Sequence, residues 1–201
     1  MINKGLNKAE FGERLEWIIA SNLNRLTNRP CVFLSHKKED KPECRKIADY
    51  FREAGIDYYL DEEDSILQQA SLAGDAVKIT ESIKKGIRES THMMVVVSEK
   101  TAQSQWVPFE IGYGHASIFD QDKSILEDTK IKLSVLTLKD IAEKELPDYL
   151  KVGFLIKGTK TLNEYISKIV GESESYMQLK RKVFSNNSPN HPLDNVLNWK
   201  L

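Results

Sequence analysis

Trp106 and Glu110 stand four residues apart in the stretch Ser104-Gln105-Trp106-Val107-Pro108-Phe109-Glu110-Ile111-Gly112-Tyr113. On a helix that spacing sets ring and carboxylate side by side on one face. Pro108 suits the first turn, where its missing N–H costs nothing. The run Met93-Met94-Val95-Val96-Val97-Ser98 comes just before, so the pair lies beyond the end of a buried strand. A large ring beside a carboxylate in that place could hold and attack a small ligand. The same spacing also describes a core Trp and a solvated Glu on an ordinary amphipathic helix, so the rest of the chain has to decide.

The elements that would position the pair are legible in turn. Pro30-Cys31-Val32-Phe33-Leu34-Ser35 reads as a short buried strand, because a continuous apolar run is what a strand covered on both faces requires. Cys44, Ile47, Ala48 and Phe51 give helical spacing over 41–54, closed by Gly55. Ile56 to Leu60 is a second strand, and the polar, Gly-containing 62–77 reads as an exposed loop. A helix over about 78–90, a third strand at 92–97 and a helix over about 105–118 follow. Ile131 to Leu136 and 153–157 read as strands four and five, with a short helix over 139–150 ending near Pro147 and another around Leu162 to Ile169. Strands alternating with helices predict an α/β fold with a flavodoxin-like parallel sheet of order 2-1-3-4-5 and helices on both faces. In that order Ser35–Asp40, Asp61–Ser65 and Ser98–Glu110 converge on one rim, where such sheets bind ligands.

Several chemistries fail on that rim. The turn after the first strand has no glycine, so no phosphate-cradling loop is present. A phospho-acceptor receiver needs acidic residues after strands one and three, where Ser35-His36 and Ser98 stand; Lys157 alone fits. Ser35 and His36 are adjacent in extended chain and point opposite ways, a poor nucleophile–base pair. One carboxylate in a semi-apolar cleft does suit cleavage of an N-glycosidic bond to a cationic base, through an oxocarbenium-like state. A nicotinamide leaving group departs neutral and needs no general acid, so one Glu suffices. An adjacent Trp lowers the local dielectric and strengthens the effect.

The bulk composition bounds the alternatives. The 201 residues are 40% hydrophobic and 29% charged, with a formal net charge of -1, which suits one globular domain with small appendages. No basic excess marks a nucleic-acid binder. Cys31 and Cys44 lack metal-type spacing, and His36, His92, His115 and His191 are scattered, so no metal is expected. No signal peptide or membrane span is apparent, and a cytoplasmic location is expected. Phe11, Leu15, Ile18, Ile19, Leu23 and Leu26 form one stripe of a helix over 6–26. Tyr176, Leu179, Val183 and Phe184 allow a late helix; 185–192 reads as a linker before an apolar patch at Leu193, Val196, Leu197 and Trp199.

Cys31-Val-Phe-Leu-Ser-His36, Asp40-Lys41, Gly55-Ile56 to Asp61, Ile83 to Ser90, Met93 to Ser98 and Trp106-x-x-x-Glu110 together resemble a Toll/interleukin-1 receptor (TIR) domain over about 29–170, most closely its bacterial, NAD-cleaving branch. The segments 1–28 and 171–201 lie outside the resemblance as N-terminal and C-terminal extensions. The resemblance implies an NAD nucleosidase or ADP-ribosyl cyclase, with NAD as substrate, no separate cofactor, and ADP-ribose or a cyclic variant as product. It implies Glu110 as the catalytic residue, with Ser35, His36, Lys37, Asp61 and Trp106 binding substrate. It also implies self-association through TIR domains, with the 62–78 loop of a neighbour completing the site. Stand-alone proteins of this size resemble Thoeris-type antiphage defence components that make a messenger for a separate effector protein. The 62–78 segment departs from the family pattern, Ser71-Leu72-Ala73-Gly74-Asp75 being its nearest approach to the usual loop. A non-catalytic interaction module and a nucleoside deoxyribosyltransferase are the alternative functions.

Overall fold

The computed structural model describes residues 4–11, 29–119, 131–141, 146–186 and 190–198. Five parallel strands lie in the order β2-β1-β3-β4-β5: β1 (Cys31–Ser35), β2 (Asp57–Tyr59), β3 (His92–Val97), β4 (Leu133–Thr137) and β5 (Phe154–Ile156). This is the expected flavodoxin-like α/β sheet. β1 pairs with β3 in the register Val32 to His92 through Ser35 to Val95, so β3 runs two residues past the carboxyl end of β1. Every residue of β1 and β4 is buried, as continuous apolar runs covered on both faces require.

Alternation along the strands divides the core in two. Val32, Leu34, Met94, Val96 and Leu136 pack with α1 (Lys41–Ala54), α5 (Thr159–Val170) and the C-terminal segment. Phe33, Met93, Val95, Val97 and Val135 pack with α3 (Ala76–Arg88) and α4 (Trp106–Gly114). α1 begins with Pro42 in its first turn and ends at Gly55, whose φ of 82° is the left-handed conformation that stops a helix.

The predicted exposed loop over 62–77 is mostly helix. A tight turn at Asp61–Glu63 leads into α2 (Ser65–Ala73), and α3 starts at Ala76. No buried apolar stripe marks it, because α2 buries only Ala70. Its ends are nevertheless marked: the Asp64 carboxylate accepts from the N–H groups of Ile66 and Leu67, Gly74 takes φ 66°, and Asp75 accepts from Lys78 N–H. The Tyr59 hydroxyl also donates to Asp64, tying this cap to the end of β2. The expected helix over 105–118 is present as α4, which passes at His115–Phe119 into one wider, π-helical turn.

Leu6 and Asn7 do not begin a helix as the periodicity predicts. They run along β2, with Tyr58 N–H donating to the Leu6 carbonyl and Asn7 bridged to Tyr58; unpaired groups on the β2 edge claim them. A single tight turn follows at Lys8–Phe11. The stripe from Leu15 to Leu26 lies outside the described residues. Within the expected helix over 139–150, a 3₁₀ turn occupies Asp148–Leu150, and 142–145 lies outside the described residues.

After α6 (Glu174–Leu179) the chain returns over the sheet, burying Leu193, Val196 and Leu197. Lys139 N–H donates to the Val196 carbonyl and Thr159 N–H to the Asn198 carbonyl, so this segment straps the carboxyl ends of β4 and β5. Trp199 and 187–189 lie outside the described residues.

Candidate active site

α4 carries the carboxylate. Ser104 Oγ accepts from Val107 N–H at 3.2 Å and so satisfies part of its first turn. Val107 and Ile111 face the core beside Glu110, and Gly114 lies where a Cβ would come within 2.6 Å of Met93 Sδ. The helix therefore sits close on β3, and the face that carries Glu110 turns inward. Glu110 is only 2% exposed, which overturns the reading of a solvated Glu on an amphipathic helix. Trp106, one turn earlier, is 38% exposed and packs edge-to-face on Phe109.

Ser35 ends β1 on the same face as Phe33, toward α4. Its hydroxyl donates to Glu110 Oε2 at 2.5 Å. His36 turns the other way: its Nδ1–H donates to the Leu34 carbonyl at 3.0 Å, and Nδ1 lies 3.9 Å from Asp61 Oδ1. Burial, reinforced by the nearby Asp61 charge, pushes the Glu110 carboxyl up to about 8, while the Ser35 hydroxyl and His36 pull it down. At neutral pH these surroundings favour a proton on Glu110, and a cation brought beside it favours its release.

A cavity of about 640 Å³ opens over this group, within the size range of small-molecule sites. His36, Lys37, Asp61, Trp106 and Glu110 all line it; Ser35 lies behind Glu110 and is fully buried. Sequence reasoning missed the opposite wall. Leu67, Gln68, Ser71 and Leu72 of α2 and Ile79 and Ile83 of α3 form it, and Lys38 and Lys41 join Lys37 at one side. Asp64, Gly74 and Asp75 were the signals that could have found α2, bracketing nine residues between two N-caps and a C′ glycine. This protomer's own 62–78 segment thus walls its own cavity. Among the described residues no group of three or more His, Cys, Asp or Glu side chains could hold a metal ion, and no helix is long and apolar enough to cross a membrane.

A family model described as the TIR domain matches residues 32–132, about half of the chain, from β1 to the approach to β4. The chain belongs to the TIR domain family. A Cytobacillus dafuensis protein named "Putative cyclic ADP-D-ribose synthase TIR2" is 31% identical over 83 residues, which cover 41% of this chain and 21% of that protein. The aligned stretch thus spans about a fifth of that relative's length.

Two contacts brace this TIR domain's cavity from outside its walls. Asp40, at the start of α1, accepts from Ser98 Oγ at 2.6 Å and fastens the lysine-bearing loop to the end of β3. A Cβ on Gly86 would stand 2.5 Å from the Tyr59 ring, so only glycine lets α3 close on the tyrosine whose hydroxyl holds the cap of α2.

Proposed function

We propose that this TIR domain cleaves the bond between nicotinamide and ribose in NAD, yielding ADP-ribose or a cyclic ADP-ribose-type product. The observation that carries the reading is Glu110: a carboxyl buried at the base of a nucleotide-sized cavity, beside Trp106 and hydrogen-bonded by Ser35. When the bond from C1′ to the ring nitrogen breaks, its electron pair goes to the nitrogen, and nicotinamide leaves neutral. The positive charge moves to the ribose, where ionised Glu110 opposes it in a low-dielectric site. The substrate's cationic ring supplies the charge that favours ionised Glu110 on binding. Water then bonds to C1′ and releases a proton, or an adenine nitrogen of the same molecule attacks and closes the ring. Lys37, Lys38 and Lys41 suit the diphosphate, and the apolar wall from α2 and α3 suits an adenine ring.

The name of the Cytobacillus relative, a cyclic ADP-ribose synthase, supports the cyclase form. Activation by assembly, a place in antiphage signalling through a separate effector protein, and a cytoplasmic location rest on the family resemblance and belong to the proposal. One observation favours a second reading, a non-catalytic interaction module: Leu72 and Val77 are 90% and 74% exposed at the corner between α2 and α3, apolar surface that a partner could cover.

Mass spectrometry of NAD incubated with concentrated wild-type protein and with Glu110→Ala separates the two. Loss of NAD with release of nicotinamide in the wild type alone is expected. Equal turnover by the variant refutes the role of Glu110, and no turnover by the wild type at any concentration favours the interaction module.

A further inference from the structure

The Ser35 hydroxyl has no access to a ligand. It is fully buried, stands apart from the residues that wall the cavity, and is directed at Glu110 Oε2. Strand alternation explains this, because Ser35 follows Phe33 on the face toward α4, whereas the next residue, His36, reaches the cavity. We propose that Ser35 is a positioning residue for Glu110, holding one carboxylate oxygen and favouring its ionised state, and not a contact to substrate. The inference rests on the proposed NAD cleavage for its kinetic consequence, but the contact itself does not.

Three observations support the assignment. Ser35 ends β1, an interior strand of the sheet, and is paired with Val95 of β3, so its hydroxyl is carried by hydrogen-bonded strand backbone. The bond takes up Oε2, leaving Oε1 to meet a ligand. The other groups that act electrostatically on Glu110 are Asp61, from the turn after β2, and His36 from the end of β1; they act in opposite senses. Ser35 is therefore the neutral group on the carboxylate that stabilises its charged form.

The test is the pH dependence of kcat/KM for NAD in the wild type, Ser35→Ala and Ser35→Thr, since that profile reports the free enzyme's ionisation. Without the hydroxyl the midpoint is expected to move upward by about one pH unit. The Ala variant should lose about tenfold in kcat/KM near pH 7 and regain most of it in alkali; Thr, which keeps the hydroxyl, should restore the wild-type midpoint. A loss in kcat/KM that is uniform across pH overturns the assignment. A titration of carboxyl-¹³C-labelled glutamate, with the Glu110 signal identified by its absence in Glu110→Gln, reads the same displacement without substrate. An unmoved Glu110 titration in Ser35→Ala overturns the positioning role. A moved titration in a protein that leaves NAD intact supports it and overturns NAD cleavage instead.

Discussion

Replacing Glu110 with glutamine removes a charge from a group that folding has buried, and the effect on stability depends on pH in a direction the structure determines. The carboxyl is 2% exposed and lifted from an ordinary 4.5 to about 8, chiefly by burial and then by Asp61. Between those two pH values the native state keeps a proton that the unfolded chain has lost. The stability this contributes is complete below 4.5 and is lost as pH rises through about 8. That gap corresponds to about 5 kcal/mol as an upper limit. Glutamine escapes the charge penalty and can still accept from the Ser35 hydroxyl, but it buries an amide N–H₂ that costs about 1–3 kcal/mol if poorly paired. A net gain of about 2 kcal/mol for Glu110→Gln is expected at pH 8.5, or about 4–8 °C in Tm for a chain of this size. At pH 5 the gain should vanish or turn into a small loss. Calorimetry of both proteins at the two pH values measures it, alongside NAD turnover, which the variant should lack. A Tm difference that is the same at pH 5 and pH 8.5, or a variant less stable at pH 8.5, refutes the account of Glu110 as a carboxyl held neutral by burial. A stabilised but inactive variant is the pattern of a site that trades stability for chemistry.

Four other perturbations test the supports of the site. Tyr59→Phe removes the hydroxyl that holds the Asp64 cap and should cost about 1 kcal/mol in chemical denaturation, while Gly86→Ala, driven against the same ring, should cost about 1–3 kcal/mol. Both should raise KM for NAD, because α2 walls the cavity; an unchanged KM would separate α2 from binding. Lys38→Glu with Lys41→Glu should raise KM about tenfold or more with little change in kcat, and a steady-state fit showing kcat alone affected would remove the lysines from diphosphate binding. Leu197→Ala, at a fully buried position of the C-terminal strap, should lose about 2–5 kcal/mol on denaturation; a loss under 0.5 kcal/mol would mean that the strap adds nothing to the core.

The sheet was legible because its signals are local. Continuous apolar runs at 31–35 and 92–97 are explained only by strands covered on both sides, and helix periods between them force parallel connections with one possible handedness. The convergence of Ser35, Asp61 and Glu110 followed from topology, and the chain order alone placed Glu110 at the rim. α2 was not legible, because its stability comes from caps and from packing against α3 more than from an apolar stripe. Leu6 and Asn7 misled for a different reason: they fell within the bounds of the helix drawn from the Phe11 to Leu26 stripe, but the unpaired edge of β2 offers them backbone hydrogen bonds.

Trp106 and Glu110 mark the limit of one-dimensional reading most clearly. Spacing by itself determined that ring and carboxylate share a helix face and lie past a buried strand. Whether that face meets water or the protein was decided by how closely α4 sits on β3 and by the cavity that α2 closes. Ionisation depends on burial, on charges from Asp61 and His36 and on the hydrogen bond from Ser35, all from distant segments, so the upward shift of Glu110 exists only in the folded chain.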